Sequence, residues 1–261
     1  MTNIDRLLDI MDRLRDPEAG CPWDREQTFA TIVPHTLEEA YEVADTIESG
    51  RFDVLPAELG DLLFQIVFYA RLAKERGWFS FDSVVEAICD KLIARHPHVF
   101  AGGAVGDAGE QTQQWEAMKA RERSAADAGT GALDGIAGNL PAMTRAAKLQ
   151  KRAARVGFDW PAVGPVFDKV AEELGEVRET VNQDRARQQA EIGDLLFACI
   201  NLARHLNVDP EQALRGANRR FEQRFRHIEL SLAKRGKGIG EATLAEMDAL
   251  WEEAKRAVGG S

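Results

Sequence analysis

The chain repeats itself. Glu38-Glu39-Ala40-Tyr41-Glu42, followed by Glu58-Leu59-Gly60-Asp61-Leu62-Leu63-Phe64, returns in the second half as Glu172-Glu173-Leu174-Gly175-Glu176 and Glu191-Ile192-Gly193-Asp194-Leu195-Leu196-Phe197. The offsets are 134 and 133 residues. Trp115-Glu116-Ala117-Met118-Lys119 returns as Trp251-Glu252-Glu253-Ala254-Lys255, at an offset of 136, and Lys91 to Arg95 is echoed more loosely by Arg220 to Arg224. Four echoes in one order at a near-constant offset mark a tandem duplication. Both halves must therefore fold into variants of one unit.

Helix formers (Ala, Leu, Glu, Arg) dominate, aromatics are 7%, and alternating strand-like runs are scarce. The expectation is an all-α chain of two tandem helical bundles with about four helices each. The stretch SAADAGTGALDGIAG after residue 123 has little apolar mass and reads as a flexible connector. This gives units at 1–123 and 141–261 joined by 124–140, with a second mobile stretch at 101–109. Pro56 suits the first turn of a helix running to about Arg76. Its apolar positions Leu59, Leu62, Leu63, Ile66 and Tyr69/Ala70 follow helical spacing, and Ile192, Leu195, Leu196, Cys199 and Leu202 repeat them over 190–206. Each unit is short of core, so a homodimer is the expected way to bury more.

The net charge of −10 provides no whole-chain basic footprint for nucleic acid. No apolar run reaches the length of a membrane span, and the N-terminal MTNIDRLLDIMDRL reads as an amphipathic helix, not a signal peptide. Cys21, Cys89 and Cys199 are widely spaced and form no CxxC pair, which suits three reduced thiols in the cytoplasm.

The chemistry lies in the acids. Helical spacing projects Glu39 with Glu42, Glu58 with Asp61, Glu173 with Glu176 and Glu191 with Asp194. These acids adjoin the apolar stripe and should sit at the core border. If the two helices of a unit pack together, four carboxylates converge. Two like charges at 4 Å repel by about 4 kcal/mol at an effective dielectric of 20, so such a cluster needs a proton or a cation. An all-oxygen donor set suits a hard ion, Mg²⁺ or Mn²⁺. No His lies three residues after a Glu, against a di-iron bundle, and zinc lacks His and Cys ligands. Mid-helix Gly60 and Gly193 suggest a close helix approach.

Metal-borne phosphate would also want cations. Arg220 and Arg224 project together, Lys91 and Arg95 match them, and Lys119 and Lys255 follow a Trp by one turn. Trp115 and Trp251 are open to two readings, stacking on a base or packing. No P-loop, strand-linked GxGxxG or GxSxG is present.

These segments resemble the MazG proteins, the all-α nucleoside triphosphate pyrophosphohydrolases. The resemblance covers nearly the whole chain through CPWDREQT (21–28), HTLEEAYEVADTI (35–47), ELGDLLFQIVFYA (58–70), RHPHVF (95–100), KLQKRAARVGFDW (148–160), EELGE (172–176), EIGDLLFACINLARHL (191–206), ANRRFEQRF (217–225) and WEEAK (251–255). It implies Mg²⁺-dependent hydrolysis of a nucleoside triphosphate to the monophosphate and pyrophosphate. The implied Mg²⁺ ligands are Glu173, Glu176, Glu191 and Asp194, with Glu39, Glu42, Glu58 and Asp61 in the first unit. Glu172, like Glu38, would lie beside the water, and Glu172 is the candidate general base. Lys169, Arg220, Arg224, Trp251 and Lys255 would contact nucleotide. The family commonly has Lys where Arg220 stands. A narrower dUTP or phosphoribosyl-ATP pyrophosphohydrolase and a non-catalytic nucleotide- or metal-binding regulatory module are the alternatives. The second unit looks better equipped: Glu172 is free beside the ligand set, Arg220 and Arg224 have Arg219 and Arg226 close by, and in the first unit Pro97 and His98 should end the helix of Arg95 early.

Overall fold

The computed structural model describes residues 2–102, residue 118 and residues 131–258. Trp115, Lys119 and the stretch 103–109 lie outside the described residues. The chain divides into two compact units, Met1–Ala120 and Arg121–Ser261. Among the described residues there are eleven α-helices and no strand.

The first unit holds α1 (Asn3–Leu14), α2 (Pro22–Glu26), α3 (Phe29–Glu48), α4 (Leu55–Glu75), α5 (Phe81–Arg95) and α6 (Pro97–Phe100). Thr2 and Asp5 close a capping box on α1, and Thr28 with Thr31 does the same for α3. Pro56 occupies the first turn of α4, where its missing N–H is not needed. α5 stops at Arg95, just before Pro97, as expected. α3 packs along α4, and α1 packs on α4 from another side. Met11, Ile32, Val67, Phe68 and Leu72 form the core.

The second unit holds α7 (Ala142–Arg155), α8 (Gly164–Thr180), α9 (Arg185–His205), α10 (Pro210–Lys234) and α11 (Leu244–Val258). Asp184 caps α9 by accepting from the Arg187 N–H, and Asp209 caps α10 through Gln212. α8 packs along α9 as α3 does along α4, and α7 packs on α9 as α1 does on α4. The repeat therefore holds in three dimensions, with five long helices in this unit. A second core joins Ile228 and Leu232 of α10 to Leu250 of α11. Of the connector, residues 131–140 form turns drawn onto α7, since Arg152 donates to the carbonyls of Ala132 (3.3 Å) and Asp134 (2.9 Å).

Two expectations need correction. The stripe of Leu59, Leu63 and Ile66 does not face the core: Leu59 is 48% exposed, and Leu196 in the second unit is 50% exposed. Only the end of the stripe meets the core, with Ala70 buried and Tyr69 packed against it, and α4 also buries Gln65, Val67, Phe68, Leu72 and Ala73. Gly60 and Gly193 mark no close approach, because a Cβ at either would meet nothing within 4 Å.

Candidate active site

Helical spacing sets the acids and helix packing gathers them. In the second unit one oxygen from each of Glu173, Glu191 and Asp194 lies within 4.8 Å of the others, joining α8 to α9. Glu39, Glu58 and Asp61 do the same between α3 and α4. Three of the four acids expected in each unit thus converge. Glu42 and Glu176 are exposed and stand outside these clusters. Lost solvation, then the charges of Glu173 and Glu191, hold the Glu176 carboxyl above the ordinary range. Lost solvation, then Asp61 and Glu42, does the same to Glu39.

The two clusters differ at their buried member. Glu173 is 5% exposed, and its Oε2 is buried without a hydrogen-bond partner. An unsatisfied buried carboxylate oxygen is costly, and a cation supplies what it lacks. The oxygens are all hard donors, which fits Mg²⁺ or Mn²⁺. Glu39 is only half-buried.

Lys169, one turn before Glu173, donates from Nζ to Glu172 Oε1 at 2.7 Å and lies 2.8 Å from Glu173 Oε1. Both contacts raise the lysine's pKa and keep it charged. Glu172 is therefore not free beside the cluster; it is held by Lys169.

Arg224, Trp251 and Lys255 form a separate patch on α10 and α11. The Arg224 guanidinium lies 5.5 Å from the Trp251 ring centroid, and Phe221 packs 5.3 Å from the same ring. Trp251 borders the Ile228–Leu250 core, so it packs in this chain. Lys255 donates to Glu252 at 2.6 Å, and Arg220 is exposed nearby on α10. None of these four residues lines the cavity beside the acids. In the first unit Lys91 is exposed and Arg95 half-buried on α5.

That cavity was not legible in the sequence. It measures about 660 Å³ and is lined from α7, α8, α9 and the loop of Gly157 to Trp160, with Lys169, Glu173 and Asp194 among the lining residues. Arg204 of α9 fastens the loop: Nη1 donates to Asp159 Oδ2 at 2.9 Å, Nη2 to Oδ1, and His205 Nε2 lies 3.0 Å from Oδ1. The signal available was Gln150 and Asn201, polar side chains within apolar helix faces.

A family model described as the MazG nucleotide pyrophosphohydrolase domain matches residues 27–100, and one described as phosphoribosyl-ATP pyrophosphohydrolase matches residues 148–221. Over 98% of both chains, this sequence is 54% identical to a nucleoside triphosphate pyrophosphohydrolase of Escherichia coli strain K12. The chain belongs to the MazG family of nucleotide pyrophosphohydrolases. It is also 42% identical to the nucleoside triphosphate pyrophosphohydrolase/pyrophosphatase MazG of Thermotoga maritima, over 96% of this chain and 95% of that one. To the uncharacterized protein YabN of Bacillus subtilis it is 39% identical, over 94% of this chain and 50% of the other. Each of the two family matches contains one of the acid clusters, and the second also contains Lys169, Gln150 and Asn201. No helix among the described residues is long and apolar enough to cross a membrane.

Proposed function

We propose that this MazG-family chain hydrolyses nucleoside triphosphates, broadly across bases and sugars, to the monophosphate and pyrophosphate with Mg²⁺, at the second unit. The carrying observation is the unpartnered, buried Glu173 Oε2 inside the Glu173–Glu191–Asp194 cluster. Those three residues would hold the ion, with Glu176 one turn away. Bound there, Mg²⁺ would offset phosphate charge and acidify a water.

The chain's own residues do the rest. Lys169 lines the cavity and supplies a cation for the polyphosphate. When it turns toward phosphate it releases Glu172, whose carboxylate is then free to take a proton from the attacking water. The ion pair thus couples substrate arrival to freeing of the base. The α10–α11 cations Arg220, Arg224 and Lys255 are the remaining candidates for binding the departing pyrophosphate.

Assembly as a homodimer belongs to the same proposal. Leu59, Leu63 and Ile66 of α4 and Ile192 and Leu196 of α9 are apolar and exposed in a single chain, and a second copy is the occupant that duplicated helical bundles short of core favour. The cytoplasm is the compartment that suits this substrate.

Pyrophosphate release from a panel of canonical and damaged nucleotides tests the reading. Turnover of many bases supports it. Turnover confined to dUTP or phosphoribosyl-ATP selects a narrower enzyme, the latter favoured by the match over residues 148–221. Binding without turnover selects a regulatory module.

A further inference from the structure

Two non-helical stretches line the cavity beside the second acid cluster, and they are fastened unequally. The loop of Gly157 to Trp160 is held through Asp159 by Arg204 and His205, and opposite charges meet in the Arg204 pair. The other stretch is the connector just before α7, which supplies Leu133. Its tie to α7 is weaker in kind. The Arg152 guanidinium donates to two uncharged carbonyls, those of Ala132 at 3.3 Å and Asp134 at 2.9 Å. Every residue from 131 to 135 is exposed, Leu133 at 46%. A segment with exposed backbone and few buried contacts opens locally at low cost.

The segment is nevertheless shaped as one piece. Asp134 Oδ2 accepts from the Gly131 N–H at 2.6 Å, and the Asp134 N–H donates to the Gly131 carbonyl at 3.1 Å, which closes a turn over 131–134. Gly135 follows with φ of 74°, a left-handed conformation that glycine adopts without a steric cost, and Gly138 stands before the start of α7 at Ala142. A closed turn thus carries Leu133, and a neck with two glycines joins it to the helix. Half-buried Ile136 and Leu140 hold the far side of the neck. The other lining residues fall within residues 148–221, the stretch matched by the second family model, and Leu133 alone comes from outside it.

We infer that residues 131–135 are a lid on the second unit's cavity, with Arg152 as its latch: the turn swings on its glycine neck to admit a nucleotide, and Leu133 closes on the bound molecule. This rests on the nucleotide reading proposed above. Lys169, Glu173 and Asp194 line the same cavity. A closed lid therefore keeps bulk water from the acids and holds the nucleotide until it is cleaved, and product leaves when the lid reopens.

The test uses the full chain with Mg²⁺ and an ATP analogue with a methylene group in place of the α,β-bridging oxygen, which the proposed hydrolysis cannot cleave. Hydrogen exchange read by mass spectrometry should be about tenfold slower over residues 131–136 with the analogue bound than in the free chain. Arg152→Met keeps an apolar stem and removes the latch, so it should erase that slowing while the melting temperature stays within about 2 °C of the unaltered chain's. Leu133→Ala, at an exposed position, should speed dissociation of the analogue about fivefold in a stopped-flow displacement experiment. Slowing that survives Arg152→Met overturns the latch, and dissociation unchanged in Leu133→Ala overturns the lid. Should Arg152→Met fail to fold, Leu133→Ala decides. A chain that releases pyrophosphate from ATP, yet shows the same exchange over 131–136 with and without the bound analogue, retains the hydrolysis and loses the lid. A chain that cleaves no triphosphate, yet slows its exchange over 131–136 around the analogue, loses the hydrolysis and keeps the lid. A chain that binds neither ATP nor the analogue loses both.

Discussion

Lys169 Nζ lies 2.8 Å from Glu173 Oε1, while the other oxygen of that carboxylate is buried with no partner. The pair is half of a site. One oxygen is satisfied by a cation from the chain, and the other is left without a partner, where the proposed metal ion would sit. This distinguishes the second unit from the first, whose corresponding Glu39 is more exposed and follows His35 at the lysine's place in the repeat.

Glu173→Gln should therefore remove most turnover, because it deletes one anionic ligand where phosphate must land. Glu39→Gln should leave at least half. Steady-state pyrophosphate release decides. Comparable losses would mean two working sites, and a larger loss for Glu39→Gln would reverse the assignment.

Metal removal should abolish activity. Excess EDTA should end pyrophosphate release, and Mg²⁺ or Mn²⁺ should restore it, since the clustered donors are all carboxylate oxygens. Full turnover in EDTA would sink the metal reading.

Lys169→Met should lower kcat/KM for ATP by at least about tenfold, since it removes the cation proposed to meet the phosphate and strands a buried carboxylate. Lys169→Arg should recover only part of this, because a planar fork cannot sit between Glu172 and Glu173 as a point charge does. Full activity in Lys169→Met would remove the lysine from the mechanism.

The Asp159–Arg204 pair should stabilise the second unit in a pH-dependent way. The Arg204 hydrogen bonds, ahead of those from His205, hold the Asp159 carboxyl below its ordinary range. A folded-state pKa below the unfolded one gives stability that is complete above the unfolded value and is lost as pH falls through the folded one. Asp159→Asn should lower the melting temperature at pH 7, and the difference from the unaltered chain should shrink below about pH 4. A difference independent of pH would refute the charge-based account.

Sedimentation at micromolar concentration should give a dimer. Leu59→Glu together with Leu196→Glu, which place charge on the exposed apolar faces of α4 and α9, should shift it toward monomer. A stable monomer of the unaltered chain would refute the assembly.

The sequence by itself determined the duplication, the helices and the acids on each one. Those features are local: helical periodicity makes neighbours of Glu58 and Asp61, or Glu191 and Asp194, whatever surrounds them. Tertiary structure decided which side of each helix turned inward. The apolar spacing from Leu59 to Ile66 describes a stripe equally well whether a core or a second copy covers it. Periodicity also cannot say that Glu173 would be buried while Glu42 and Glu176 stayed in water. The cavity was furthest from view, because its walls come from Gln150, the Phe158–Trp160 loop and Asn201. These meet only once α7 packs on α9, and an empty volume is set by the side chains that fail to fill it, which no single stretch of sequence records.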